Sequence, residues 1–251
     1  MFGPEKMLRF AAHLPNTLLS GSNRTASEAM GTSRTMILGK QVVFAHPDLT
    51  TIDEVIVKRC YDGGKGLEIR SDSIVLDLGA NIGIFTVLAA IQAVDGRVIS
   101  VEPERDAFND LNENIGANHF GNVEALNVAI SDRTGTINLS LGQTPGEHTT
   151  IKQSSQPDKI EVCQAIEMKQ LWRELHLNHV DFLKVDIEGA EFVVFRDSDW
   201  INCVDRVVME VHPWAGDSER LLRDLRNHGF QVTTSRGYMK DAFYVYAVRK
   251  Q

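Results

Sequence analysis

The chain has 251 residues, 43% hydrophobic and 24% charged, which allows one large domain or two small ones with a sizeable core. Its 26 basic against 34 acidic residues leave a formal charge of −8, which argues against a nucleic-acid partner, because phosphate binding needs a basic footprint. No apolar run approaches the roughly 18 to 20 residues of a membrane helix, and Cys60, Cys163 and Cys203 form no Cys-x-x-Cys pair, so the expectation is a cytoplasmic protein with reduced thiols and no membrane partner.

The N-terminal "MLRFAAHLP" is too short, and too interrupted by His13 and Pro15, for a secretory signal. Residues 1–35, with the Ser/Thr/Gly-rich "SGSNRTASEAMGTSRT", read as a loosely held arm carrying at most one short helix. "TMILGKQVVFAHP" reads as a hairpin turning at Gly39-Lys40. "TTIDEVIVKRCYDGG" reads as a helix that starts at Thr50 or Thr51 and is stopped by Gly63-Gly64. From Ser73 the pattern alternates. "SIVLDLG", "GRVISVEPE", "VEALNVAIS", "HVDFLKVDI" and "DRVVMEVHP" are apolar strands. The helices between them include "IFTVLAAIQAV", "MKQLWREL" and "DAFNDLNENIGANHFG", where Phe108, Leu111 and Ile115 recur at helical spacing. "GTINLSL" and "KIEVCQAI" read as an inserted hairpin around a polar stretch. "SERLLRDLRNHGF" is a helix, and "FQVTTS" and "AFYVYAVRK" close the chain as two strands. The "RGYMKD" link between those two is too short for a crossover, so they pair antiparallel. The fold class is α/β, a mostly parallel sheet with helices on both faces and a terminal antiparallel hairpin.

"VLDLGANIGIFTVLAA" stops a strand at an acid and restarts it as a helix. Gly79 and Gly83 permit a sharp turn and close approach of a ligand, and Glu102 ends the next strand, where an acid can accept both hydroxyls of an adenosyl ribose. A dehydrogenase shares this logic, but its G-x-G-x-x-G fingerprint is broken by Ala80-Asn81. Asp77 before the first glycine suits a cationic amino group better than a pyrophosphate. The combination favours S-adenosylmethionine over a nicotinamide cofactor.

Taken in order, "VLDLGANIGIFT", "ISVEPE", "NVAISDRTGTINL", "DFLKVDIEGAEFVVF" and "MEVHP" resemble the FkbM-type S-adenosylmethionine-dependent methyltransferases, over roughly Tyr61 to Trp214. The resemblance implies the class I methyltransferase (Rossmann-like) fold, a seven-stranded sheet with its last strand antiparallel. It also implies methylation of hydroxyl groups on natural products or glycans. By the same resemblance Asp77, Gly79, Ala80, Asn81 and Gly83 line the methionine end of the cofactor. Glu102 then holds the ribose, Pro103 borders the adenine, and Asn127 to Ala129 complete the adenine pocket. Ala129 stands where many methyltransferases carry an acid, which leaves that contact to backbone or to Ser131 and Asp132. Residues 1–65 would cover the cofactor edge, with the arm as a lid, and 66–251 would form the methyltransferase domain.

"LKVDIEGAE" sets Lys184, Asp186, Glu188 and Glu191 at a strand end, and Glu210 and His212 are expected to arrive beside them from the neighbouring strand. Lys184 reads as a paired structural ion, Gly189 as a plain turn residue, and Glu191 as a carboxylate favoured by a helix dipole. Asp186, Glu188 and His212 are the candidate catalytic set. His212 would take the acceptor's proton while the two acids position the acceptor or the imidazole. Asp186, Glu188 and His212 could also hold magnesium, but the spacing does not demand it and no metal is expected. N-methylation on the same fold and a non-catalytic cofactor binder are the alternatives. The acceptor, a small molecule or glycan, would be selected by the arm, the stretch from Gly142 to Asp158 and the loop after Pro213. The arm and terminal hairpin offer surfaces for a homodimer.

Overall fold

The computed structural model describes residues 32–45, 47–64, 66–141, 149–151, 159–237 and 242–250, so the expected arm as far as residue 31 and most of the polar stretch at 142–158 lie outside the described residues. The first described elements are the expected hairpin, β1 (Ser33–Ile37) and β2 (Lys40–Phe44). The turn sits on Leu38 and Gly39, both with positive φ, not on Gly39-Lys40. Two successive left-handed residues are what a two-residue hairpin needs to match the twist of its strands.

The next helix, α1 (Leu49–Ile52), starts earlier than expected because Asp48 caps it, accepting from Thr50 N at 2.8 Å. It widens into a π-turn at Asp53–Val57, where Lys58 N donates to Asp53 O at 2.8 Å. Arg59, at φ 56, ends it well before Gly63-Gly64. The stretch read as helix after Val57 is therefore irregular, and it carries Tyr61 into the core.

The alternating region follows in chain order as β3 (Ile74–Leu78), α2 (Ile84–Gln92), β4 (Arg97–Val101), α3 (Arg105–Ala117), β5 (Val123–Leu126), β6 (Ala129–Ser131), β7 (Gly135–Leu141), β8 (Lys159–Glu167), α4 (Met168–Glu174), β9 (Phe182–Val185), α5 (Glu191–Val194), β10 (Arg206–Val211), α6 (Ser218–Asn227), β11 (Phe230–Arg236) and β12 (Phe243–Arg249). Seven strands form one sheet in the order β11-β12-β10-β9-β3-β4-β5, and β12 is antiparallel to both neighbours while the other pairings are parallel. This is the expected architecture. The strand read as "VEALNVAIS" breaks in two, because Asn127 turns its amide onto the carbonyls of Glu102 and Pro103, and Ala129 pairs with Ala165 in a small sheet ordered β6-β8-β7.

Side-chain alternation splits the core across the sheet. Leu76, Leu78, Ile99 and Val101 face α4 and α6, while Val75, Val98, Phe182 and Val208 face α2 and α1. Ile37, Val42, Phe44, Ile52 and Tyr61 belong to the second of these clusters, so packing does not break at the 65/66 boundary read from the sequence. Among the described residues, no helix is long and apolar enough to cross a membrane.

The chain runs β3, β4, β5 toward one edge and then returns to β9 and β10 on the other side of β3, so strand order reverses between β3 and β9. A cleft opens beyond the carboxyl ends of strands at such a point. Gly79 leaves β3 there with φ 76, and a Cβ on it would overlap the Asp186 carbonyl oxygen. Gly79→Ala is therefore expected to lose about 2 kcal/mol or more of stability, from steric overlap and a left-handed backbone together. Urea denaturation reads this as a lowered midpoint; an unchanged midpoint would contradict it.

Candidate active site

The cleft at the reversal point encloses about 630 Å³ of space with its open mouth included. Of the residues expected to hold a cofactor, Gly79, Asn81, Glu102, Pro103 and Ala129 line it. Val101, Val128, Ile130 and Leu139 make its apolar wall, and Asp186 and Glu188 stand at its other side.

Glu102 is 6% exposed and already anchored, with Oε2 accepting from Asn81 N at 2.8 Å and Oε1 from Glu104 N at 2.9 Å. Burial raises its carboxyl to about 7, against the lowering effect of those two bonds. Each oxygen keeps a further lone pair for a ligand.

Asp77, Ala80, Gly83 and Asn127 do not line the cleft; Ala80 and Asn127 adjoin residues that do. Asp77 is fully buried, taking Thr86 Oγ1 at 2.7 Å on one oxygen and Lys184 Nζ at 3.2 Å on the other. The cation it meets in this structure is Lys184. Lys184 also donates to Gly79 O at 2.6 Å, in keeping with a paired structural ion. Ala80 N donates to Val101 O, Gly83 N donates to Ala80 O, and Gly83 packs so tightly on Leu111 that a Cβ would crowd that side chain.

The second cluster forms where the sequence placed it. Asp186 follows β9, its Oδ2 accepting from Tyr61 Oη at 2.8 Å, while Oδ1 is buried with no hydrogen-bond partner among the described residues. Glu188, at φ 51, and Gly189 make a tight left-handed turn. Gly189 is more than a plain turn residue, since a Cβ there would collide with Trp214 and Ala215. Glu188 Oε2 lies 3.2 Å from His212 Nε2, and its carboxyl is raised to about 8, by burial first and by the neighbouring Asp186 charge second.

Glu191 is the residue the sequence reading undervalued. It opens α5, where a carboxylate suits the helix dipole, but it is fully buried and accepts from Gly189 N at 2.9 Å and His212 N at 2.7 Å. The same Oε1 faces His212 Nδ1 at 3.2 Å. His212 is thereby held between two carboxylates. Burial alone would lower its pKa, but the Glu191 hydrogen bond and the charges of Glu191, Glu188 and Asp186 outweigh burial and raise it to about 10. At neutral pH the ring is an imidazolium. A protonated ring has no lone pair with which to accept a proton.

Asp186, Glu210 and His212 each present a potential ligand atom within 4.8 Å of the others. Both ring nitrogens of His212 are already engaged by Glu188 and Glu191. Glu54, Tyr61 and Tyr244 also reach it, and no spacing in the sequence signalled them: the Tyr61–Asp186 contact spans 125 residues.

A sequence profile described as the methyltransferase FkbM domain matches residues 77–232. "Methyltransferase 1" of Beauveria bassiana is 26% identical over 205 residues, covering 73% of this chain and 81% of its own. "31-O-demethyl-FK506 methyltransferase FkbM" of Streptomyces tacrolimicus is 27% identical over 213 residues, covering 71% of this chain and 80% of its own. Among solved structures, Aeropyrum pernix fibrillarin in complex with natively bound S-adenosyl-L-methionine superposes with a TM-score of 0.52 at 14% identity, over 87% of this chain and 83% of that one. The methyltransferase FkbM of Methylobacillus flagellatus superposes with a TM-score of 0.50 at 16% identity over 72% of this chain, which spans 44% of that longer one. At these identities the structural likeness establishes the fold.

In the unfolded chain the His212 ring returns to about 6.5. The stability gained from its raised pKa is fully present below that value and is lost as pH rises through about 10. His212→Gln is expected to cost on the order of 2 kcal/mol near pH 6.5 and progressively less toward pH 10. Urea denaturation across that range checks it, and a deficit that grows with pH would contradict the clamp.

Proposed function

The chain belongs to the FkbM methyltransferase family, and from that premise we propose that it transfers a methyl group from S-adenosylmethionine to a hydroxyl of a small molecule, natural product or sugar. The observation that carries this reading is the cleft itself. It is lined by a preset, buried Glu102 and by Asp186, one buried oxygen of which has no hydrogen-bond partner among the described residues.

The residues present suit that cofactor. Glu102 would accept the ribose hydroxyls, Pro103 and Ala129 with the apolar wall would border the adenine, and Gly79 and Asn81 would flank the methionine end. Fibrillarin, of like fold, is described with S-adenosyl-L-methionine bound, and the Streptomyces relative is named as an O-demethyl-compound methyltransferase; both names support the reading. When bound, the cofactor supplies an electrophilic methyl carbon on a cationic sulfur.

The chain's own part is positioning and proton removal. Asp186 borders the cleft, and its buried Oδ1 has no hydrogen-bond partner among the described residues, so Asp186 is assigned the acceptor's hydroxyl proton. His212, as an imidazolium, is assigned to hold Glu188 at the cleft wall, while Glu191 orients it. A base matters for a hydroxyl acceptor far more than for an already neutral amine, which is why the placement of Asp186 favours O-methylation over N-methylation.

Incubation with methyl-labelled S-adenosylmethionine and paired hydroxyl and amine acceptors tests this, with the new bond identified by mass spectrometry; label found only on nitrogen would overturn it. Glu102→Ala is expected to weaken cofactor binding by about 1.5–3 kcal/mol, because a charge-assisted acceptor is removed. Calorimetry showing unchanged affinity would sink the Glu102 assignment. Asp186→Asn is expected to slow turnover by roughly 10²- to 10⁴-fold while cofactor affinity falls less.

A further inference from the structure

The family match runs from residue 77 to residue 232, yet three side chains from outside it converge on its centre. Tyr61 is 5% exposed, and its hydroxyl lies 2.8 Å from Asp186 Oδ2. The same hydroxyl is 3.5 Å from Glu54 Oε1 and 3.5 Å from Glu210 Oε2. Tyr244, from β12, donates to Glu54 Oε1 at 2.5 Å. The phenol ring of Tyr61 is fixed edge-on to Phe85 and Tyr244, both at 5.7 Å, and Lys184 Nζ sits 5.2 Å from its centroid.

A phenol has one proton to give, and three carboxyl groups surround it. Asp186 is the nearest. Glu54 and Glu210 both stand off at 3.5 Å, a distance at which they compete weakly for the hydroxyl proton. The hydroxyl therefore points at Asp186. With Oδ2 held, Oδ1 is the oxygen without a partner among the described residues, on a side chain that lines the cleft. The π-turn at Asp53–Val57 contributes Glu54, and the irregular stretch that follows it brings Tyr61 to the same place. Extra-residue turns of this kind recur at functional sites.

We propose that Tyr61 is a positioning residue for Asp186, holding one carboxylate oxygen so that the other is offered to the acceptor hydroxyl, with Glu54, Glu210 and Tyr244 fixing the Tyr61 hydroxyl. This rests on the assignment of Asp186 to the acceptor's proton. It extends the working site of this chain to segments on both sides of the family domain.

Tyr61→Phe in the full chain removes the hydroxyl and keeps the ring contacts. It is expected to lower kcat by roughly 10- to 100-fold, the worth of one hydrogen bond to a charged group, while KM for S-adenosylmethionine and for the acceptor changes by no more than about twofold. Unchanged kcat, or a loss matched by weaker cofactor binding, overturns the proposal. Should Tyr61→Phe not fold, Tyr244→Phe loosens the same network one step further from Asp186 and is expected to lower kcat by a smaller factor without raising KM; unchanged kcat there overturns it. A second readout needs no acceptor. Proton NMR of the wild type is expected to show a slowly exchanging hydroxyl resonance that vanishes in Tyr61→Phe and shifts in Asp186→Asn, and its absence from the wild type overturns the contact. If the wild type methylates nothing, the methyl-transfer reading fails while this resonance still decides the Tyr61 contact.

Discussion

The buried ammonium of Lys184 ties together the parts of the cleft. It lies 2.6 Å from the Gly79 carbonyl, 3.2 Å from Asp77 and 3.8 Å from Asp186, at 3% exposure. Burial alone would lower its pKa, but the charges of Asp77 and Asp186 outweigh it and raise the pKa. A buried charge of this kind is tolerable only with its partners in place, and removing one partner leaves an uncompensated ion worth about 3–5 kcal/mol. The end of β3, the turn after it and the end of β9 are therefore locked before any ligand arrives. Preset geometry is what a positioning catalyst requires.

Around that lock the charges divide by role. Asp77 pairs with Lys184, Glu102 accepts from Asn81 N and Glu104 N, and the His212 ring lies between Glu188 and Glu191 along the wall. The raised carboxyls of Glu188 and Glu210 reflect burial beside other acids. A cationic group entering the cleft would favour their ionised forms, so the electrostatics of the cluster suit a sulfonium-bearing cofactor.

Much of this was readable from the chain. The alternation of apolar strands and helices, the short link before the last strand and the "DLGANIG" turn with Glu102 pointed to the sheet order and to the position of the cleft. The sequence also brought Asp186, Glu188, Glu210 and His212 to one edge, because strand ends two residues apart share a face. Periodicity says which face a residue occupies, not what it meets there. Asp77 was read toward a ligand because nothing local indicates that Lys184 reaches it first. The imidazolium state of His212 depends on Glu191, which looked like an ordinary first-turn acid. Tyr61 lies in "RCYDGG", which the sequence placed in a helix, and its contact depends on a π-turn that no propensity signals. The break between β5 and β6 turns on a single amide, that of Asn127, capping the end of β4.

The central claim is that the cleft at the reversal of strand order, lined by Glu102 and Asp186, is the cofactor site. A crystal structure of the protein with S-adenosylhomocysteine tests it most directly. The account predicts both ribose hydroxyls on the Glu102 carboxylate, the adenine against Pro103 and Ala129, and the sulfur toward Asp186. A ligand seated elsewhere, or one in this cleft that makes no contact with Glu102, would contradict it.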